Sequence, residues 1–312
     1  MTVPRRCAAA VAALLLTAAS LAACGAGTDD ARPGEVLLVA TTTQLGDIAR
    51  AVAGDRAQVR QILEPNTDPH AYEPRPSDVR AVAGAKVVVR SGGDLDAWLG
   101  DVLRNAGAHA RTVDVLGGLR PRRGVGGTDP HWWQDPRNGV IAAQRIRDAL
   151  TAADPAGRAA YAANAGRYAS RLRALDRAIA SCMARIPARE RRLVTDHDAL
   201  GYYADRYGID VIGTVIPSLS SQAQASGGEV ARLVRTIRAA GVSTIFPESS
   251  VNAKLTKAIA RDAGARVGPA LYADSLGARG SAGETYIGAL RANSVALARG
   301  LSSGSAHCAL PR

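Results

Sequence analysis

The chain has 312 residues, 47% hydrophobic and 21% charged. That is a globular composition, long enough for two domains of ordinary size. The formal net charge of +11 comes almost entirely from arginine. Those arginines are scattered on helical faces and not interleaved with aromatics, which argues against a nucleic-acid partner and for a solvated basic surface near anionic lipid headgroups.

The chain opens as a targeting segment. Arg5 and Arg6 supply positive charge, Ala8 to Ala18 is an almost unbroken apolar run, and Leu21-Ala22-Ala23-Cys24-Gly25 matches a lipoprotein cleavage box. A membrane span needs about 18 apolar residues or more, so residues 1–23 read as a cleaved signal. Cys24 then becomes the lipidated first residue of the mature chain. Several acyl chains on it would hold the protein firmly to the bilayer, on the outer side of the cytoplasmic membrane. Residues 24–35, rich in Gly, Asp and Pro, read as a tether.

Beyond the tether, short apolar runs alternate with helical periodicity. Val36 to Thr42 reads as a buried strand, Leu45 to Val52 as a helix, and Val59 to Leu63 as a second strand running out at Glu64-Pro65-Asn66. Ser77 is expected to cap the next helix. Lys86 to Arg90 is a strand, Leu95 to Leu103 a helix and Arg111 to Val115 a strand. Gly117 to Thr128 reads as a Gly, Pro and Arg loop carrying Arg120-Pro121-Arg122-Arg123, and a helix begins at Asn138. Asp154-Pro155 looks like an N-cap with proline at the first helical position. From Pro155 to Ile186 the apolar spacing predicts a helix of about 45 Å. After Pro187 the alternation resumes: strands at 192–195, 211–215, 243–246 and 266–271, and helices at 200–207, 228–240, 251–263 and 284–301. The expected fold is α/β: two βα lobes with parallel sheets, at residues 36–152 and 188–312, joined by a long rigid helix at 153–187. No residue-level repeat relates the halves.

Of the four cysteines, Cys7 leaves with the signal and Cys24 takes lipid. Cys182 and Cys308 remain in an exported chain, where a disulfide pinning the C-terminal tail to the long helix is expected. Both are far in sequence from the histidines, which argues against a cysteine-rich zinc site.

Three of the five histidines sit in short polar segments: Asp68-Pro69-His70, Asp129-Pro130-His131-Trp132-Trp133-Gln134-Asp135-Pro136 and Thr195-Asp196-His197-Asp198. Ala273-Asp274-Ser275 joins them late in the chain. Each segment falls just past a predicted strand, and the carboxyl ends of parallel strands form the ligand crevice of such folds. One metal ion between the lobes, held two and two by His70 with His131 and His197 with Asp274, is the expectation. Three imidazoles and one carboxylate suit tetrahedral Zn(II). Asp129, Asp135, Asp196 and Asp198 are candidates to orient the rings through the second imidazole N–H; each also reads as a cap of a turn or helix. Trp132 and Trp133 are expected to wall the site. His109 and His307 read as exposed non-ligands. Glu248, at the end of a predicted strand, is open between a competing fourth ligand, a general base and a carboxylate that accepts backbone N–H bonds.

These segments, with Tyr202, Tyr207-Gly208, Phe246-Pro247-Glu248-Ser249-Ser250 and Tyr272-Ala273-Asp274-Ser275-Leu276-Gly277, resemble the solute-binding lipoproteins of ATP-driven zinc and manganese importers. The resemblance covers nearly the whole mature chain. It implies two lobes joined by a rigid helix, with His70, His131, His197 and Asp274 as ligands. It also implies an ABC permease and its ATPase as partners for a monomeric binding protein. Manganese-selective members generally place glutamate where this chain has His197, so the histidine resembles the zinc type, with Mn(II) as the alternative cargo. Many zinc members carry a long loop rich in histidine and acidic residues before the second histidine. Here Gly117 to Thr128 has no histidine and is basic. The rival readings are a zinc hydrolase with Glu248 as base, which would need an open coordination position, and a lipid-anchored metal sensor.

Overall fold

The computed structural model describes residues 35–311. The signal segment, Cys24 and all of the tether but Glu35 lie outside the described residues.

Two parallel sheets face one another through their carboxyl ends. In the first lobe, β1 (Val36–Ala40), β2 (Ala57–Gln61), β3 (Val87–Arg90) and β4 (Arg111–Asp114) pair in the order β2-β1-β3-β4. All five residues of β1 are buried, as a central parallel strand covered on both faces requires. In the second lobe, β7 (Arg192–Thr195) pairs with β8 (Asp210–Thr214), and β9 (Thr244–Ile245) with β10 (Arg266–Val267). Parallel bridges Thr195–Phe246 and Glu248–Leu271 extend this sheet, so its order is β8-β7-β9-β10. The two lobes therefore share one strand order, a repeat of architecture without a repeat of sequence.

Helices cover both sheets. In the first lobe these are α1 (Thr43–Ala53), α2 (Pro76–Ala83), α3 (Leu99–Asn105) and α4 (Pro136–Ala153). The second lobe carries α6 (Gly201–Tyr207), α7 (Gly227–Ala240), α8 (Lys254–Ala263) and α9 (Tyr286–Leu301). Between them runs α5, Arg158–Ala184, about 40 Å long. Its first half joins the first lobe, where Asn164 donates to Val52 O and the Tyr168 hydroxyl to Asp47. Its second half holds α6 through Asp176, which accepts from Arg206 and the Tyr207 hydroxyl. Cys182, in its last turn, is disulfide-bonded to Cys308 of the C-terminal tail, with Cα atoms 5.6 Å apart.

Several expected boundaries differ for identifiable reasons. The long helix begins after a 3₁₀ turn at Pro155–Gly157, closed by Asp154 accepting from Gly157 N. Ser77 is not a cap: α2 starts at Pro76, which needs no donor there, and Asp78 accepts from Arg75 N instead. The helix expected from Leu95 becomes regular only at Leu99. Buried Asp96 turns inward there and accepts from Ser91 N, Gly92 N and the Thr41 hydroxyl, fastening the ends of β1 and β3. The strand expected over 266–271 breaks after Val267, where Pro269 offers no N–H. The segment read as a loop contains a small antiparallel hairpin, β5 (Arg123–Gly124) and β6 (Gly127–Thr128). Gly126 at φ +90° makes its tight tip possible,.

Candidate metal centre

The local sequence explains how each side chain is delivered. Asp68 accepts from His70 N at 2.9 Å, winding Pro69–Ala71 into one 3₁₀ turn after β2. Asp129 repeats the device at His131, accepting its backbone N–H at 2.9 Å. A 3₁₀ turn over Trp132–Gln134 follows, and Asp135 then caps α4 by accepting from Arg137 N. His197 follows β7 directly, with its carbonyl accepting from the Thr195 hydroxyl at 3.0 Å. Asp274 follows the Glu248–Leu271 bridge.

The four converge. One ligand atom from each of His70, His131, His197 and Asp274 lies within 4.8 Å of the others. His70 Nε2 and His131 Nε2 are 3.3 Å apart. Asp274 Oδ2 lies 3.2 Å from His70 Nε2 and 3.1 Å from His197 Nε2, and its Oδ1 lies 3.3 Å from His131 Nε2. His109 and His307 are exposed and stand apart from this cluster.

Two of the rings are fixed from behind. Asp129, fully buried, accepts from His131 Nδ1 at 2.8 Å. Glu248 faces His197 Nδ1 at 3.0 Å and also accepts from Asp274 N and the Ser250 hydroxyl. Glu248 thus stands as an orienting carboxylate on the Nδ1 side of His197, with Oε1 held by Asp274 N and Ser250 and Oε2 facing the ring. Of the four aspartates considered for this role, only Asp129 performs it. Asp135 caps α4 and pairs with Arg137. Asp196 accepts from Thr256, and Asp198 bonds through its backbone to Ser218 O. The Glu248–His197 pair follows from strand order. Thr195 is bridged to Phe246, so the residues two further along each strand emerge side by side.

A carboxylate lies on the Nδ1 side of His131 and His197, and where Nδ1 carries the ring proton Nε2 presents a lone pair. Those lone pairs point at two carboxylate oxygens. Asp274 Oδ1, Asp274 Oδ2 and His197 Nε2 have no well-aligned hydrogen-bond partner among the described residues. Buried lone pairs facing one another repel unless a proton or a cation lies between them. Burial opposes charge on His197, but Asp274 and Glu248 outweigh it and push the ring well above its ordinary value. Burial likewise opposes charge on Asp274, which His197 and His131 nevertheless hold well below the usual carboxylate range. Glu248 is pushed up by burial and by Asp274, with His197 partly offsetting them. The site is thus built to hold positive charge.

Trp133 stands edge-on to the His131 ring at 5.4 Å, walling the site. Trp132 packs behind it, with its indole N–H on the Ser91 hydroxyl. Behind Asp129 lies Arg122, donating to Asp129 at 3.0 Å and to Asp205 of α6 at 2.9 Å. Gly201 leaves room for it: a Cβ there would sit 2.2 Å from the guanidinium carbon. From the sequence Arg122 reads as a loop residue, and nothing local signals this link, because Asp205 and Gly201 come from the other lobe.

Residues 38–300 match the family described as the periplasmic component A of the zinc-uptake complex. The chain belongs to this family. It is that of the solute-binding proteins of zinc and manganese ABC importers, so the protein is a binding protein and not an enzyme. The manganese-binding lipoprotein MntA of Halalkalibacterium halodurans is 32% identical over 296 residues, covering 93% of this chain and 97% of that one. The manganese ABC transporter substrate-binding lipoprotein PsaA of Streptococcus mitis is 30% identical over 302 residues, with the same coverage. The periplasmic zinc-binding protein TroA of Treponema pallidum shares the fold, with a TM-score of 0.80 at 24% identity over 86% of this chain and all of that one. So does the Mn-bound periplasmic metal-binding protein of Candidatus Liberibacter asiaticus, with a TM-score of 0.78 at 24% identity and the same coverage.

Proposed function

We propose that the protein captures Zn(II) outside the cytoplasmic membrane, as a monomer anchored through lipidated Cys24, and delivers it to an ABC permease driven by its ATPase. His70, His131, His197 and Asp274 are the ligands in this reading. The observation that carries it is the donor set: three imidazole nitrogens and one carboxylate with a ligand atom from each within 4.8 Å of the others, His70 and His131 Nε2 3.3 Å apart and an Asp274 oxygen 3.1–3.3 Å from each ring. A tetrahedral ion with bonds of about 2.0–2.1 Å has ligand-to-ligand edges of about 3.3–3.4 Å. The orienting carboxylates Asp129 and Glu248 are the outer partners that metal-bound histidines need. Nitrogen-rich sites favour zinc over manganese, and histidine rather than glutamate at position 197 agrees with that preference.

A second reading, Mn(II) as cargo, is favoured by two observations. The relatives MntA and PsaA carry manganese in their names. Both oxygens of Asp274 also face ring nitrogens, offering a fifth, hard donor. Metal analysis of the purified protein, followed by competition calorimetry between Zn(II) and Mn(II), separates the two. Zinc selectivity is expected; displacement of bound zinc by equimolar manganese would establish the second reading.

A further inference from the structure

By chain order the ligands divide two and two between the lobes. By hydrogen bonding they do not. The segment Ala273–Leu276 leaves the second lobe and is stitched to the first. Ala273 O accepts from Trp133 Nε1 and Gln134 Nε2, each at 2.7 Å. Asp274 O accepts from Gln44 Nε2 at 2.9 Å, and the Thr43 hydroxyl accepts from Leu276 N at 2.9 Å. Asn66 N donates to Leu276 O at 3.0 Å. Against these five, one hydrogen bond among the described residues ties the segment back to the second lobe, from Asp274 N to Glu248. The start of α9 is fixed the same way: Tyr286 N donates to Asp47 and its hydroxyl to Trp133 O.

His197 is held differently. Residues 195–199 hydrogen-bond within the second lobe, to Ser218 O, Val215 N and Ile216 N, with Thr195 bridged to Phe246 and His197 Nδ1 facing Glu248 at 3.0 Å. No hydrogen bond among the described residues ties their backbone to the first lobe. Of the remaining polar links across the cleft, one is buried: the Tyr202 hydroxyl of α6 accepts from Arg122 N at 2.8 Å and donates to Asp129 O at 3.4 Å. The others lie toward its rims. Arg122 reaches Asp205, which is two-thirds exposed, and Asp68 accepts from Ser221 and exposed Gln222. Thr43, Gln44, Trp133 and Gln134 are all buried. Rim pairs in water are weak, whereas leaving buried donors and acceptors unpaired is costly. Five bonds hold the stitch against the single Tyr202 hydroxyl on the α6 side, so an opening cleft gives way at its rims and at α6 and spares the stitch.

We propose that Thr43, Gln44, Trp133 and Gln134 are positioning residues that make Asp274 a ligand of the first lobe, so that the site divides three plus one and metal is released by withdrawing His197. This rests on the four-ligand reading above. Release then breaks one metal bond first and leaves a preformed three-ligand cup, in place of two bonds broken together.

Spin-label distances in the full chain test it, with nitroxides at Glu73→Cys and Ala278→Cys in one sample and at Glu73→Cys and Arg235→Cys in another. All three positions are exposed. On adding Zn(II), the 73–278 distance is expected to stay fixed while the 73–235 distance shortens. A 73–278 distance that changes along with 73–235, or a 73–235 distance that does not change, overturns the proposal. Removing the stitch in a Thr43→Val/Gln44→Leu variant is expected to speed zinc dissociation about tenfold and to make the 73–278 distance respond to metal; an unchanged dissociation rate contradicts the positioning role. Zinc calorimetry on His197→Ala separates the parent reading. Unchanged affinity there sinks the four-ligand assignment itself, whereas weakened affinity with a moving 278 label sinks only the three-plus-one division.

Discussion

The two lobes carry the same strand order and differ in how far their strands run. In the first, four strands of four or five residues make a continuous ladder. In the second, β9 and β10 have two residues each and the sheet is completed by single bridges at Phe246 and Leu271. Where the ladder stops early, chain is freed at the cleft: Pro247 to Ser250 to aim Glu248 at His197, and Ala273 to Leu276 to cross to the other lobe. The first lobe is a frame, and the second trades regular pairing for ligand delivery. The partition of polar contacts follows: the buried ones gather on the frame, and on the α6 side the links across are the Tyr202 hydroxyl and the pairs at the rims.

The largest expected effects come from the four proposed ligands. His131→Ala and Asp274→Ala each remove a donor from the frame, and calorimetry should show zinc affinity falling by about a thousandfold or more. His197→Ala should also cost orders of magnitude, but less than His131→Ala, because the cup in the first lobe survives it. Equal losses would erase the distinction between the lobes.

The orienting carboxylates sharpen it at a smaller scale. Asp129→Asn and Glu248→Gln keep size and lose charge, and each is expected to weaken zinc about 10- to 100-fold. The Glu248 variant should in addition shift the Asp274 backbone, visible as an altered Co(II) absorption spectrum. An Asp129→Asn protein with native affinity would show that His131 needs no orienting partner.

The pH response follows from His197, whose ring is held well above its ordinary value. Zinc needs the neutral ring, so binding near neutral pH should expel a proton, and affinity should rise with pH until the raised value is passed. Calorimetry in buffers of different ionisation enthalpy counts that proton. For the metal-free protein the sign is opposite. A raised folded value stabilises fully below the unfolded value of about 6.5 and is lost as pH climbs through the folded one. Metal-free melting temperature should therefore fall above about pH 6.5 while zinc-loaded melting temperature rises. Parallel slopes would contradict the upward shift of His197.

The smallest effect on binding is expected at the disulfide. Cys182 and Cys308 close a span of 126 residues. Replacing both by alanine should lower stability by about 2–4 kcal/mol in denaturant titrations and leave zinc affinity unchanged. A loss of affinity would mean that the tail acts on the cleft.

Much of this was legible in the residues. The alternation of Val/Leu-rich runs with helical periodicity yields two parallel α/β lobes, and the Asp-Pro-His segments sit in short polar turns because their aspartates accept the histidine N–H. What the chain does not display is partnership between strands. Glu248 behind His197 depends on β9 lying beside β7, and Arg122 behind Asp129 depends on Gly201 and Asp205 arriving from the other lobe. The stitch on Ala273–Leu276 uses Thr43, Gln44 and Gln134, polar residues that read locally as caps and turn formers. Their role appears only when the second lobe lays a loop against them.

Anomalous diffraction at the zinc edge, from crystals grown with stoichiometric Zn(II), locates the ion. A single strong peak is expected about 2.0–2.2 Å from Nε2 of His70, His131 and His197 and from an Asp274 oxygen. A peak elsewhere, or one that leaves any of those four side chains beyond bonding reach, would contradict the four-ligand assignment.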